Sequence, residues 1–313
     1  MRKISYISLA LTLSLLFAAC SKEEEVVIPD QQVEISFRID NYLSNITTAR
    51  ATTDVGTTDE QRIDNLYLFL FDSNGANAVK YTIDAAAFTG GTWESANKKV
   101  KLSMTQAEAG TRQVYVVANV SNTLKATLGG ITTLAGLQGA METTATPWSA
   151  TLKTPILMSG SATHNFITSA VLNAVPLKRA LAKLEINMKL TAAHQSVPTV
   201  TGVAQYRYKL TNFDKNTYVL KPATKTNDLV SSANWVNWND AVSSYTLESG
   251  KATSLKVVTY LNERDHAGTT IEIELPYNGS GPLPPPEFGP EVYKLHLPAK
   301  IERNHWYQYD VEK

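Results

Sequence analysis

Residues able to do chemistry are scattered along this chain rather than gathered. The five histidines, His164, His194, His266, His296 and His305, stand singly, and none has the H-E-x-x-H spacing that sets two imidazoles on one helix face for a metal. His296 alternates with Leu295 and Leu297, which puts it on the solvent face of a strand. Glu272 and Glu274 share a face two residues apart but lack a neighbouring His or Arg in sequence, so they read as an exposed strand face rather than an acid–base pair. Asp40, Asp64 and Asp72 fall at strand ends and read as turn and edge residues. Ser159, in Met158-Ser159-Gly160-Ser161, lacks the G-x-S-x-G elbow of a nucleophilic serine. Gly90-Gly91 and Gly129-Gly130 are not followed by the Lys-Ser/Thr of a phosphate loop. No catalytic residue, metal site or cofactor is expected. The best candidate binding patch is Trp235-Val236-Asn237-Trp238-Asn239-Asp240, where two indoles beside amide and carboxylate groups can stack on a sugar ring and bond its hydroxyls. The competing reading packs Trp235 and Trp238 as a loop lid over a core.

Cys20 is the one cysteine in 313 residues, so an internal disulfide is excluded. Arg2 and Lys3 precede an apolar run, Ile7 to Phe17, too short for a stop-transfer helix, and Ala18-Ala19 place small residues before Cys20. This order predicts a lipoprotein signal peptide over residues 1–19 and a diacylglycerol-modified Cys20, which attaches the precursor to a membrane. Phe17 stands where leucine is more usual. Lys+Arg and Asp+Glu number 29 each, and this balance excludes nucleic acid or an anionic membrane surface as an evident partner.

The elements that would position any site are strands. Val33, Ile35, Phe37 and Ile39 alternate with Glu34, Ser36, Arg38 and Asp40, the period of a strand with one buried face. Asn41 to Asp64, rich in Thr, Ala, Asp and Asn, is expected to be exposed and mobile. Asn65 to Asp72 is apolar on both faces, a strand covered on both sides. Val79–Ile83 suits its hairpin partner; Lys98–Met104 and Gln113–Asn119 are further strands. Residues 122–140 hold the one helical zone, interrupted at Gly129-Gly130. Pro155–Ser161 reads as a turn-rich apolar patch. A strand is expected from about Ala182 in the ambiguous stretch Leu177–Leu190. Others follow at Tyr206–Leu210, Leu255–Leu261, Thr270–Leu275, Tyr293–Leu297 and Trp306–Val311, with a surface loop at Asn278–Pro290. Short strands between turn signals, with one short helical segment, predict a mostly β chain of two sandwiches, 51–176 and 177–313, with a seam near Pro176.

Several stretches together resemble the Bacteroides-type fimbrillins, subunits of pili assembled from lipoprotein precursors. They are the Cys20 leader with its acidic Lys22-Glu23-Glu24-Glu25 tag, the first strand ending in an Arg-containing loop, and Ile63 to Asp72. Val114-Tyr115-Val116-Val117-Ala118-Asn119, Ile156 to Gly160, Leu177-Lys178-Arg179-Ala180-Leu181-Ala182-Lys183-Leu184 and Arg303-Asn304-His305-Trp306-Tyr307-Gln308-Tyr309-Asp310-Val311 complete the set. The resemblance implies two transthyretin-like β-sandwiches in tandem and a lipidated leader, residues 20–50, containing a removable first strand. An Arg-specific protease would cut the outer-membrane precursor after Arg50, or alternatively after Arg62, which lies closer to the next strand. A strand from another fimbrial subunit would then fill the vacated groove. The bare residues agree: removing Val33–Ile39 would open an apolar slot with unpaired backbone, whose four inward side chains contribute roughly 1.5–3 kcal/mol each when buried. The sequence stops at Lys313, whereas stalk subunits of the family carry a C-terminal donor extension. A tip or accessory subunit is therefore expected, adhering to a host or bacterial surface receptor. The rival expectation is a permanently lipid-anchored surface protein, either a pilus anchor or a glycan binder using Trp235 and Trp238.

Overall fold

The computed structural model describes residues 31–44, 53–143, 155–223, 225, 228–238, 243–277 and 290–313. The alternation after the leader becomes strand β1, Gln32–Ile39, with Val33, Ile35 and Phe37 buried and Ile39 packed at the margin of the same core. Three more strands follow: β2 (Tyr42–Ser44), β3 (Thr53–Asp54) and β4 (Leu66–Phe71). Every side chain of β4 is buried, because its period of two serves two layers. Leu66, Leu68 and Leu70 enter the first sandwich core. Tyr67, Phe69 and Phe71 join Leu124, Leu128 and Leu137 of the helices Asn122–Gly129 and Leu134–Gly139. The hydroxyls of Ser121 and Thr133 cap these helices by accepting from the amides of Leu124 and Gly136, each at 3.2 Å. The helical zone thus splits at the Gly129-Gly130 interruption.

Nine strands are bonded in one order: Val79–Ile83, β4, Thr111–Ala118, Met158–Asn165, Val171–Arg179, β1, Lys99–Thr105, Gly91–Glu94 and Ala87–Phe88. A second core lies between two other sheets. One runs Ser243–Glu248, Lys251–Asn262, Leu181–Lys189, His305–Glu312, β2 and β3; the other holds Leu229–Ser232, Arg207–Asp214, Thr270–Leu275 and Glu291–His296. A strand runs through Pro176, and the chain changes cores between Leu181 and Ala182: Leu177 and Leu181 belong to the first cluster and Ala182 to the second.

Two expectations are corrected. Asn41–Asp64 is not uniformly exposed, for Tyr42 and Glu60 are both 0% accessible, and β2, β3 and the turn Asp59–Gln61 pack them down. Its polar composition hid buried side chains whose partners lie far off in sequence. Pro155–Ser161 is not a turn-rich patch but the entry to the strand Met158–Asn165, bonded to Thr111–Ala118 along its whole length. Gly160, which signals a turn in sequence, is there for proximity: a Cβ on it would lie 2.1 Å from the Pro176 carbonyl oxygen of the adjoining strand. Cys20, Arg50 and the loop residues 278–289 lie outside the described residues.

Candidate functional site

β1 is an interior strand, parallel to Val171–Arg179 on one side and antiparallel to Lys99–Thr105 on the other. Ile35 stands opposite Leu172 and Val100, and Phe37 opposite Val175. Between these two pairs the register shifts at a bulge where Ala174 takes φ 55° and donates its amide to the Ser36 hydroxyl at 3.0 Å. At the rim, Lys99 pairs with Glu34 at 2.8 Å. If β1 left, two strands would face each other across a gap of about two strand spacings, roughly 9–10 Å, each with a row of unpaired groups. A third strand of suitable alternation fits such a gap.

Beyond Ile39 the chain breaks at Asp40-Asn41 and crosses from the first sheet into the second, where β2 pairs with the strand His305–Glu312 and with β3. A buried polar cluster holds this crossing. Arg179 is fully buried and donates to the carbonyls of Asp40 (2.8 Å), Val55 (2.9 Å) and Glu60 (3.0 Å) and to Asn304 Oδ1 (3.1 Å). Its guanidinium carbon lies 4.1 Å from the centre of the Tyr42 ring. Burial lowers the pKa of Arg179, with neighbouring anionic groups pulling the other way. Asn304, at φ 57°, donates to the Asn41 carbonyl at 2.7 Å, and its own carbonyl accepts from the Leu43 amide at 3.0 Å. The Glu60 carboxylate accepts from the Thr57 amide (2.6 Å) and the Tyr260 hydroxyl (2.5 Å), and lies 3.3 Å from Lys183 Nζ. Arg179, Lys183, Glu60, Tyr42, Tyr260 and Asn304 were not singled out by the sequence reading. One signal was present: Arg179 and Lys183 fall in phase with Leu177 and Leu181, charges on an apolar face.

The structure does not assemble the tryptophan patch. Trp238 is 0% exposed in the second core, edge-on to Tyr208 at 5.8 Å, so its ring cannot stack on a sugar. The apolar layer between the two sheets claims it, as the lid reading had it for this residue. Trp235 is half-buried and lies over Lys209 Nζ (4.6 Å) and the Arg207 guanidinium (5.5 Å). Those cations meet the paired glutamates across the sheet. Arg207 grips Glu274 with two bonds of 2.7 and 2.8 Å, while Lys209 and Lys294 lie 3.1 and 3.0 Å from Glu272. The expected exposed face is instead a cross-strand charge ladder whose cations sequence adjacency could not reveal, with Glu274 buried. Ser159 is buried and donates to the Val219 carbonyl at 2.6 Å. Among the described residues, no three His, Cys, Asp or Glu are placed to hold a metal ion.

Burial alone would raise the Glu272 pKa, but hydrogen bonds from Lys294 and Lys209 outweigh it and hold the carboxyl below its ordinary range. The stabilisation is present above the unfolded value, about 4.3, and is lost as pH falls through the lower folded value. Glu272→Gln is expected to cost about 0.3–1 kcal/mol at neutral pH. Urea titrations at several pH values should show the difference shrinking below pH about 4.3.

Arg62, the second candidate cleavage point, has an exposed side chain paired with Asp64 at 2.9 Å. Its backbone is fixed: the Arg62 carbonyl accepts from Asn119 Nδ2 and the Asp64 amide donates to Asn119 Oδ1, both at 2.8 Å.

This architecture is that of fimbrial and adhesion β-sandwich proteins. The fold matches a putative cell adhesion protein from Parabacteroides distasonis (TM-score 0.56, 15% identity, 90% of this chain and 88% of that one). It also matches the tip fimbrial protein Mfa3 from Porphyromonas gingivalis with a C-terminal truncation (TM-score 0.51, 14% identity, 90% and 94%). Residues 180–312 match the family described as minor fimbrium tip subunit MfA4, C-terminal. Over the full length of both chains the sequence is 45% identical to the minor fimbrium tip subunit MfA4 of Porphyromonas gingivalis. The chain belongs to the fimbrillin family of fimbrial subunits.

Proposed function

We propose that this chain is an adhesive, non-enzymatic subunit of a cell-surface fimbrium, placed at or near the tip, and that it joins its neighbour by strand exchange. Full-length identity of 45% to a minor fimbrium tip subunit supports the fimbrial role and the tip position. The observation that carries strand exchange is the setting of β1, an interior strand linked to the rest of the fold through the segment that contains Arg50. In this reading the precursor is lipidated at Cys20 and delivered to the outer membrane. Cleavage after Arg50 then frees residues 20–50 with the lipid, and a strand from another subunit takes the β1 seat.

Arg62 suits this role less well, since a protease must lift the peptide away from the fold and Asn119 holds the Arg62 carbonyl and the Asp64 amide. A cut after Arg62 would also remove Glu60, leaving Lys183 buried without that anion and Arg179 without the Glu60 carbonyl. Treating the folded precursor with an Arg-specific protease is expected to give a new N-terminus at Ala51, lost in Arg50→Ala and retained in Arg62→Ala. Multimers should form only after the cut. A precursor that resists cleavage at Arg50 and stays lipid-bound would instead be a permanent anchor. Palmitate labelling that survives Cys20→Ser would remove the lipoprotein assignment.

A further inference from the structure

The β1–β2 segment is held by two unlike kinds of contact, and they do not depart alike. Along β1, Val33, Ile35 and Phe37 fill an apolar channel that any alternating aliphatic strand could fill. At the crossing, the contact is specific. Without residues 31–44, Lys183 would lose the Tyr42 ring at 5.6 Å but retain its anion Glu60 at 3.3 Å and a second ring, Trp306, at 5.5 Å. Arg179 keeps Val55, Glu60 and Asn304 but loses the Asp40 carbonyl and the Tyr42 ring, which covers one face of its guanidinium. An aliphatic replacement would leave that buried cation against hydrocarbon, with neither water nor a π face to meet it.

Resting on the strand-exchange reading above, we propose that Arg179 selects the incoming strand. The partner is a segment with apolar side chains at the positions of Val33, Ile35 and Phe37 and an aromatic ring at the position of Tyr42. The spacing is itself selective. Residues 37 and 42 are an odd number apart, so a regular strand would put them on opposite faces. The occupant must break its strand, as this chain does at Asp40-Asn41, and present two successive carbonyls to Arg179 Nη1 and Asn304 Nδ2. It must also carry amide hydrogens at positions 40 and 43, which donate to the carbonyls of Leu177 (2.8 Å) and Asn304 (3.0 Å), and this bars proline there. A mismatched occupant is rejected through an uncovered buried charge, not through shape alone.

The test uses the full chain cut by an Arg-specific protease and challenged with fluorescein-labelled synthetic peptides of residues 31–44, incorporation being followed by anisotropy and gel filtration. The native peptide is expected to enter the seat, and Tyr42→Phe to enter within about threefold of it, since the ring rather than the hydroxyl meets the guanidinium. Tyr42→Ala and Tyr42→Leu should be weaker by about tenfold or more. Phe37→Asp, which places a charge in the apolar channel, should not enter. If Tyr42→Leu enters as well as the native peptide while Phe37→Asp is excluded, selection by Arg179 is overturned and strand exchange stands. If the native peptide does not enter cut protein above its level in uncut protein, strand exchange fails and the selection rule with it.

Discussion

Glu60→Ala is expected to destabilise the fold by about 3–5 kcal/mol, the range for removing one partner of a buried ion pair. The carboxylate is fully buried and meets the Thr57 amide, the Tyr260 hydroxyl and Lys183. Its removal leaves Lys183 with Asp54, at 3.9 Å, as its one anionic partner among the described residues, and opens space where Tyr260 loses its acceptor. Glu60→Gln keeps an acceptor for the Thr57 amide but cancels the charge, so its cost should be smaller, about 1–3 kcal/mol. Urea unfolding followed by fluorescence measures both. A second readout identifies the cause. Burial first, and then the hydrogen bond to the Glu60 carboxylate, raises the Tyr260 pKa far above that of a free phenol. In Glu60→Ala the phenol should ionise at lower pH in an ultraviolet titration. A loss of stability without that shift would mean a generic packing defect rather than loss of an anion.

Glu60 also marks where the sequence was hard to read. What depends on local period was legible: β1 from four alternating apolar residues, β4 from a run apolar on both faces, and a helical zone at 122–140 from its spacing, expected as one short segment and found as two helices. The seat of β1 was likewise implied, since a strand with one apolar face must be paired and covered. The crossing cluster was not, because it joins Tyr42 and Glu60 to Arg179, Lys183, Tyr260 and Asn304 across separations of more than a hundred residues. A polar stretch with a buried tyrosine and glutamate has the same composition as a solvated loop until its partners are known. The ladder at Glu272 and Glu274 was hidden in the same way, because Arg207 and Lys209 reach it only through antiparallel pairing with the strand Thr270–Leu275. The charges in phase with leucines at Arg179 and Lys183 were the one local trace of this cluster.

The two tryptophans should separate sharply. Trp238→Ala is expected to cost about 3–5 kcal/mol, because it empties a large, fully buried site between the two sheets of the second core. The loss combines transfer of the indole, the edge-on contact with Tyr208 and a cavity that neighbouring strands cannot close without breaking register. Trp238→Phe retains part of that volume and should fall in between. Trp235→Ala removes a half-buried ring lying over Lys209 and Arg207, whose charges remain satisfied by Glu272 and Glu274. A cost of about 0.5–1 kcal/mol is expected there, the size of an exposed cation–π contact. Thermal or urea unfolding of the three variants gives the order directly. The order also governs how any glycan-binding experiment is interpreted. Lost binding in Trp238→Ala reports a disrupted core, whereas lost binding in Trp235→Ala at unchanged stability would place a ligand on the charge ladder and make the adhesive surface a part of the second sandwich. Comparable costs at both positions would mean that the Trp235 segment, too, is part of the core.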